Sequence, residues 1–200
     1  MRILIVGATG TIGRPLVAAL KDRHDLVLAS RQKAHEQVDM SDPSSIRALY
    51  ERVGKLDAVV SAAGDARFAP LAALSDDDFA YSIKNKLMGQ VNLVRYGLDS
   101  VSDGGSFTLT SGVLGQQPMV GSGAVSMVNG GLEAFTRAAA LEAPRGIRVN
   151  ILSPGWITET LIALKMDPAS GMPAAEVARA YVEAIEGKQS GAVITPASRK

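Results

Sequence analysis

The chain has 200 residues, enough for a single domain spanning 1–200, and its 46% hydrophobic and 4% aromatic content is typical of a close-packed α/β sheet. A net charge of +1 favours neither a nucleic-acid nor a membrane partner, and the lack of cysteine excludes disulfides and thiolate sites; with two histidines no metal site is expected. No apolar stretch is long enough to span a membrane and the first predicted strand begins at Arg2, so we expect a cytoplasmic protein without a targeting peptide.

Short apolar segments alternate with helical segments along almost the whole chain. The predicted strands cover residues 2–6, 25–29, 56–61, 105–111, 147–152 and 191–195. The predicted helices cover residues 11–22, 43–53, 75–98, 123–142 and 173–186. Apolar strands separated by helices indicate a parallel sheet with helices on both faces, and right-handed crossovers then predict a doubly wound Rossmann fold.

A glycine-rich turn, GATGTIG, directly follows the first predicted strand. A buried strand, a glycine turn and a helix predict a pyrophosphate site, because glycine lets the backbone approach phosphates and the helix N-terminus has free N–H groups. The cofactor-binding residues expected in this turn are Gly7, Thr9, Gly10, Thr11, Ile12 and Gly13. The alternative is a strand–helix connection that binds nothing.

The end of the second predicted strand bears on the choice between NAD and NADP. An acidic residue there binds the ribose 2′-hydroxyl of NAD, whereas an arginine accommodates the 2′-phosphate of NADP. The chain has Ser30 and Arg31 at this point and no acid. We therefore expect Arg31, with the hydroxyls of Ser30 and Thr9, to bind a 2′-phosphate, and NADP(H) to be the cofactor. The alternative is that Arg31 is an ordinary solvated loop residue.

Six further motifs resemble those of the short-chain dehydrogenases/reductases and occur in the same order. They are QVD at residues 37–39, SAAG at 61–64, SFTLTS at 106–111, GGLEAFTR at 130–137, RVN at 148–150 and SPGWIT at 153–158. The resemblance implies that Asp39 binds the adenine amino group, that SAAG lies beside the adenine ribose, and that the last motif closes over the nicotinamide. The cofactor-binding residues implied in this way are Asp39, Met40, Ala62, Ala63, Gly64, Pro154, Gly155, Trp156, Ile157 and Thr158.

The resemblance also implies a YxxxK motif, in which the tyrosine exchanges the substrate proton and the lysine lowers the tyrosine pKa and holds the ribose. Aligning GGLEAFTR with the corresponding family helix puts Val125 at the tyrosine position and Asn129 at the lysine position. A shift by one residue supplies no tyrosine, since the neighbours are Ala124 and Ser126. We therefore expect an atypical, short member of the family without the usual proton donor.

Three residues are candidates for the remaining chemistry. Ser111 stands at the place of the family's catalytic serine and is expected to hydrogen-bond a carbonyl oxygen, while Asn129 is expected to bind the nicotinamide ribose. Lys86 stands where the family has a helix asparagine, and a lysine in a desolvated cleft could donate the missing proton. The alternatives are a serine that only caps the strand end and a lysine that is solvated on its helix.

The function expected from these residues is NADP(H)-dependent hydride transfer to or from a small carbonyl or alcohol substrate, with a non-standard proton donor. The alternative is a catalytically silent NADP(H)-binding redox sensor or regulatory protein. An epimerase or dehydratase of sugar nucleotides is disfavoured, because such enzymes also need the tyrosine.

The helices at 75–98 and 123–142 can form a homo-oligomer interface, as they do in the family. The expected pocket is shallow and apolar, lined by Val113, Leu114, Met119, Val120 and Trp156.

Overall fold

The computed structural model describes residues 1–197 and contains one sheet of seven parallel strands. The strands are β1 (Arg2–Val6), β2 (Asp25–Ser30), β3 (Glu36–Gln37), β4 (Leu56–Ser61), β5 (Val101–Thr110), β6 (Arg148–Leu152) and β7 (Val193–Ile194). Their order in the sheet is β3-β2-β1-β4-β5-β6-β7. The chain therefore adds β2 and β3 on one side of β1 and then β4 to β7 on the other side. This is the doubly wound Rossmann arrangement, and the predicted fold class is confirmed.

Seven α-helices and one π-helical segment are found in residues 1–197. The α-helices are α1 (Gly13–Leu20), α2 (Pro43–Val53), α3 (Asp76–Ser82), α4 (Gly89–Gly97), α5 (Gly123–Glu142), α6 (Thr158–Ala163) and α7 (Ala174–Glu186). The π-helical segment, Ile83–Met88, joins α3 directly to α4. The single helix predicted at 75–98 is therefore three consecutive segments. None of the helices in this part of the chain has the length and apolar character needed to cross a bilayer.

The largest differences from the predicted elements concern β5, β7, β3 and α6, of which α6 was not predicted. The strand predicted at 105–111 is β5, which begins earlier, at Val101; the run Asp103-Gly104-Gly105 concealed its start. The last strand, predicted at 191–195, consists only of Val193–Ile194. The short strand β3 was not predicted, because two residues are too few to show an alternating pattern.

Helices cover both faces of the sheet, as the apolar strands predict. Alternate side chains of β1 enter different apolar clusters: Leu4 and Val6 belong to one, Ile3 and Ile5 to the other. The first cluster contains buried side chains of α2, α4 and α5, and the second contains those of α1 and α7. This division follows from the two-residue period of a strand, which sends successive side chains to opposite faces.

The register of the sheet sets where the loops meet. Val6, the last residue of β1, pairs with Ala29 on one side and with Ser61 on the other. Because all strands are parallel, the loops after β1, β2, β4, β5 and β6 emerge at the same edge of the sheet. A ligand of a doubly wound sheet binds at this edge, next to the point where the strand order reverses.

Candidate active site

The turn after β1 contains glycines that leave no room for a side chain. Gly7 has a φ of +88°, and a Cβ added there would lie 2.6 Å from the carbonyl oxygen of Ala62. A Cβ on Gly13 would lie 2.0 Å from the carbonyl oxygen of Gly7. Helix α1 begins at Gly13 without a side-chain cap. The Arg14 N–H donates to the Gly10 carbonyl and Pro15 has no N–H, so the groups that can reach an anion are the backbone N–H groups of residues 11–13.

A cavity of about 290 Å³, the first cavity, lies beside this turn. Its lining residues are Val6, Gly7, Thr9, Gly10, Ser30, Arg31, Val38, Met40, Ala62, Ala63, Gly64, Asp65 and Asn85. The loops after β1, β2 and β4 thus bring together most of the residues expected to hold the adenosine end of a dinucleotide. Four expected residues, Thr11, Ile12, Gly13 and Asp39, are not part of this lining.

The carboxylate of Asp39, expected to bind adenine, lies outside this lining, and one of its oxygens is bonded within its own loop. Its Oδ1 accepts hydrogen bonds from the Ser41 hydroxyl at 2.8 Å and from the Ser41 backbone N–H at 2.9 Å. These bonds, with a smaller effect of the nearby Arg31 charge, hold the pKa of Asp39 below its ordinary value. The cavity wall is formed instead by Val38 and Met40, the residues on either side. The sequence pattern does not identify Val38 as a residue of the cavity wall.

The predicted phosphate-binding residues lie in this cavity together. Arg31 is exposed at the end of β2, next to Ser30, whose Oγ accepts a hydrogen bond from the Lys33 backbone N–H at 2.9 Å. Asp65, which follows SAAG, also lines the cavity and was not predicted. Its carboxylate accepts a hydrogen bond of 2.6 Å from the Tyr81 hydroxyl, which raises the pKa of Tyr81.

A second cavity, of about 330 Å³, shares the lining residues Ala62, Ala63 and Gly64 with the first. The rest of its lining comes from the loops after β1, β5 and β6 and from three helical segments: Ile12, Lys86, Thr110, Ser111, Gly112, Val113, Leu114, Val125, Asn129, Pro154, Gly155, Trp156, Ile157 and Thr160. The two cavities therefore meet at the end of β4, which is the arrangement that a dinucleotide with two separated ends requires.

Most residues expected at the nicotinamide and substrate end are in this second cavity. Thr158 is an exception: it begins α6 and its backbone N–H donates to the carbonyl of Met172, while Thr160 lies in the lining. Met119 and Val120 are also outside the lining and are exposed, which corrects the expected pocket.

Lys86 lies on the wall of the second cavity, not on the solvated side of its helix. It is half-buried in the π-helical segment, and its Nζ donates to the carbonyl oxygen of Ser111 at 3.4 Å. Its stem packs on Gly64, where an added Cβ would lie 3.0 Å from Lys86 Cγ. Burial lowers the pKa of Lys86 to about 8, against a smaller opposing effect of Asp65. Lys84, two residues earlier, is exposed.

The hydroxyl of Ser111 is engaged away from the cavity, which corrects its expected role. Its Oγ donates to Glu133 Oε1 at 2.9 Å and lies 3.3 Å from the carbonyl oxygen of Leu152, and the residue is 3% exposed. A hydroxyl whose proton is held by a buried carboxylate is not directed at a substrate carbonyl. Ser111 contributes its backbone carbonyl to the site instead, through Lys86.

Helix α5 contributes Val125 and Asn129 to the second cavity. Asn129 Nδ2 donates to the carbonyl oxygen of Gly112 at 3.2 Å. Its Oδ1 is buried and has no hydrogen-bond partner within residues 1–197. A buried acceptor without a donor is uncommon, and it fits a ligand hydroxyl such as that of the nicotinamide ribose.

Glu133, one turn after Asn129 on α5, is a buried acid that we did not predict as part of the site. It is 4% exposed and accepts hydrogen bonds from Ser111, Ser153 and Gln116. A glutamate within a helix usually faces solvent, so its position in the GGLEAFTR motif does not reveal this burial.

Comparisons with known proteins point to one family. The family model described as enoyl-(acyl carrier protein) reductase matches residues 16–191. An oxidoreductase of Schizosaccharomyces pombe, C922.06, is 31% identical over 172 residues, which are 78% of this chain and 66% of that protein. The cis-4-hydroxycyclohexanecarboxylate dehydrogenase of Sinomonas cyclohexanicum is 29% identical over 185 residues, covering 80% of this chain and 74% of that protein.

Solved structures extend the likeness to the whole fold. The protein lin1944 of Listeria innocua is 41% identical, with a TM-score of 0.94 and coverage of 98% of both chains. A small-chain dehydrogenase in complex with NADPH is 27% identical, with a TM-score of 0.87 and coverage of 98% of this chain and 95% of that one. With the family model matching most of its length, the chain belongs to the short-chain dehydrogenase/reductase superfamily.

Proposed function

We propose that the protein is an NADP(H)-dependent oxidoreductase that interconverts a small carbonyl compound and the corresponding alcohol, with Lys86 as the proton donor. The observation that carries this proposal is the position of Lys86 on the wall of the second cavity, together with its pKa of about 8. A group with a pKa close to the working pH can both give and take a proton, which makes it an effective acid–base catalyst. Bound NADP(H) supplies or accepts the hydride.

The cofactor would extend through both cavities. The glycine turn and the start of α1 would hold the pyrophosphate, and Thr9, Ser30 and Arg31 would hold the 2′-phosphate at the end of β2, where no acid is present. Asn129 would accept a hydrogen bond from the nicotinamide ribose through its unpartnered Oδ1. The structural neighbour that contains NADPH supports the choice of cofactor class.

Lys86 would replace the tyrosine of the family. Val125, which lines the second cavity at the position where the family has its tyrosine, has no proton to exchange. In reduction, the Lys86 ammonium gives a proton to the carbonyl oxygen; in oxidation, the neutral amine takes the hydroxyl proton. The bond from Nζ to the Ser111 carbonyl orients the amine. We therefore propose an atypical active site without a YxxxK motif.

The substrate would be small and mainly apolar. Most side chains in the second cavity other than Lys86 and Asn129 are apolar, with Val113, Leu114 and Trp156 on its walls. The cavity of about 330 Å³ must also hold the nicotinamide, so little volume remains for the substrate. Short aldehydes, ketones and quinones fit these limits.

The test of Lys86 is turnover of such a carbonyl panel with NADPH by the wild type and by two lysine variants. We expect Lys86→Met to lower kcat about a hundredfold or more, because a general acid is lost, while the Kd of NADPH stays unchanged. Lys84→Met is the matched control, since Lys84 is exposed on the same π-helical segment, and it should retain wild-type turnover. An unchanged kcat in Lys86→Met would remove Lys86 from the mechanism.

The same experiment separates the enzyme from the silent alternative. Tight NADPH binding by the wild type with no oxidation by any aldehyde, ketone or quinone of the panel would favour the redox sensor. Titration with both cofactors tests the cofactor choice: we expect NADPH to bind about tenfold more tightly than NADH or better. Tighter binding of NADH would overturn the assignment of Arg31.

We also propose that two copies of the chain associate through the helical segments at 76–97 and 123–142. Ile83 and Met127, on these segments, are 37% and 42% exposed, and the nearby Phe68 is 49% exposed. Exposed apolar side chains grouped on adjacent helices are typical of subunit interfaces. Sedimentation should show a dimer or larger assembly that Met127→Lys shifts towards monomer; a monomeric wild type at high concentration would refute this.

A further inference from the structure

We propose that Glu133 is a positioning residue for the nicotinamide end of the site. Its carboxylate fixes the loop after β5 and the loop after β6 as one wall of the second cavity. The proposal rests on the proposed binding of NADP(H), and it assigns a task to a buried acid that touches neither the expected cofactor nor the substrate.

Three donors from two different loops converge on this carboxylate. Ser111 Oγ and Ser153 Oγ donate to Oε1 at 2.9 and 3.0 Å, and Gln116 Nε2 donates to Oε2 at 2.9 Å. Ser111 and Gln116 lie in the connection from β5 to α5, whereas Ser153 follows β6 and directly precedes Pro154. The two loops, which a backbone hydrogen bond from Val113 N–H to the Pro154 carbonyl also links, therefore share one side-chain anchor on α5.

The burial of Glu133 points to a geometrical task. Burying a carboxylate costs free energy that an apolar side chain of similar size would not cost. In the part of the chain that the structure describes, no lysine or arginine forms an ion pair with Glu133. Its hydrogen bonds go to site loops alone, and bonds to a charged acceptor hold their donors in well-defined directions.

Two other polar residues of the site hold the same corner of the backbone. Lys86 Nζ donates to the Ser111 carbonyl, and Asn129 Nδ2 donates to the Gly112 carbonyl. Asn129 and Glu133 are four residues apart and so lie on the same side of α5. Of these three residues, Glu133 is the one that also ties the loop after β6 to this corner.

This placement predicts an effect on one end of the cofactor only. The walls of the first cavity come mainly from the loops after β1, β2 and β4, none of which Glu133 contacts through a hydrogen bond. Loss of the carboxylate should loosen the nicotinamide end and leave the adenosine end intact. A general loss of stability would weaken both ends alike.

The experiment compares the Kd of NADPH with that of adenosine 2′,5′-bisphosphate, which has the adenosine end alone, by calorimetry. In Glu133→Ala we expect the Kd of NADPH to rise about tenfold or more and that of the fragment to stay within about twofold. Glu133→Gln keeps one acceptor oxygen and should restore most of the NADPH affinity. Thr136→Val is the matched control: this buried threonine on α5 donates only within its own helix, and neither Kd should change.

Two results overturn the proposal: equal weakening of both ligands in folded Glu133→Ala, or unchanged binding of both. If Glu133→Ala does not fold, Ser153→Ala carries the test, and it must raise the Kd of NADPH about threefold with the fragment unaffected. A wild type that binds neither ligand overturns the proposed function itself. A wild type that binds both, with variants that lose neither, overturns only the role of Glu133.

Discussion

The first and second cavities are built by different means. The first depends on backbone and on glycines that no other residue can replace, such as Gly7 and Gly13 at the turn after β1. The second depends on side chains that reach across from helices, such as Lys86, Asn129 and Glu133. A binding site made from backbone is tied to the fold, whereas a site made from side chains can change its chemistry without changing the fold.

This difference would explain how the chain can have the family's cofactor site together with the altered catalytic residues that we propose. Val125 stands in the second cavity without disturbing α5, because an apolar residue is tolerated there. No comparable freedom exists at Gly13, where an added Cβ would collide with the backbone.

Gly13→Ala should strongly weaken cofactor binding. The added Cβ would lie 2.0 Å from the Gly7 carbonyl oxygen, so the turn must move. We expect the free energy of unfolding to fall by about 2–4 kcal/mol and NADPH affinity to fall about a hundredfold or more, measured by denaturation and calorimetry. Gly130→Ala is the control: its nearest neighbouring atom would be 3.9 Å away, and in α5 the change should stabilise the protein by roughly 0.5–1 kcal/mol. Wild-type affinity in Gly13→Ala would refute the backbone contact.

Arg31→Ala should weaken NADPH binding by about 10- to 100-fold, because one or two charge-assisted hydrogen bonds to the 2′-phosphate are lost. The Kd of NADH, which has no such phosphate, should stay the same. Lys33→Ala is a suitable control, since Lys33 belongs to the same loop but lines a different cavity. Equal losses for both cofactors would show that Arg31 acts on the loop and not on the phosphate.

The pH dependence of the reaction should report the titration of Lys86. Its pKa of about 8 means that the ammonium, the form needed for reduction, disappears above that pH. Reductive kcat/KM should be constant below pH 8 and fall about tenfold per pH unit above it, while the oxidative rate rises over the same range. Lys86→Arg should lack this fall because arginine stays protonated. A wild-type profile that stays flat to pH 10 would exclude Lys86 as the acid.

Lys86→Met should stabilise the protein. The pKa of Lys86 is about 8 when folded, below its ordinary value of 10.5, so the folded state binds fewer protons between these values and stability rises with pH there. At pH 7 the buried ammonium lowers the free energy of unfolding, and its removal should raise that free energy by on the order of 1–3 kcal/mol. Thermal denaturation measures this, with Lys84→Met expected to change little. A less stable Lys86→Met would show that the ammonium is well solvated.

The sequence predicts the first cavity better than the second, for a physical reason. Glycines at fixed spacing and the absence of an acid beside Arg31 are local features, and they appear in the chain order that the turn requires. Ser111 also has the right position, but the direction of its hydroxyl is decided by Glu133, which is 22 residues away. Such a contact leaves no periodic pattern in the sequence.

The secondary structure likewise divides into elements that a repeating sequence pattern predicts and elements that it does not. Apolar strands and amphipathic helices were predicted with nearly correct bounds, because burial of a whole face imposes a period on many residues. The strand β3 and the π-helical segment escaped prediction, since each involves too few residues to impose one. The bond between Asp39 and Ser41 also escaped prediction, because it is a contact between near neighbours that no periodic pattern in the sequence indicates.

The π-helical segment has a consequence for how this site could be changed. A π-helical turn holds one residue more than an α-helical turn, so it acts as a one-residue insertion within the continuous helix from α3 to α4. Removing one residue there would restore an α-helix and rotate everything on one side of the deletion by about 100° relative to the other. Lys86 could then no longer pack on Gly64 while α4 keeps its buried face against the core. The one extra residue of the π-helical turn thus determines whether this lysine faces the cavity or the solvent.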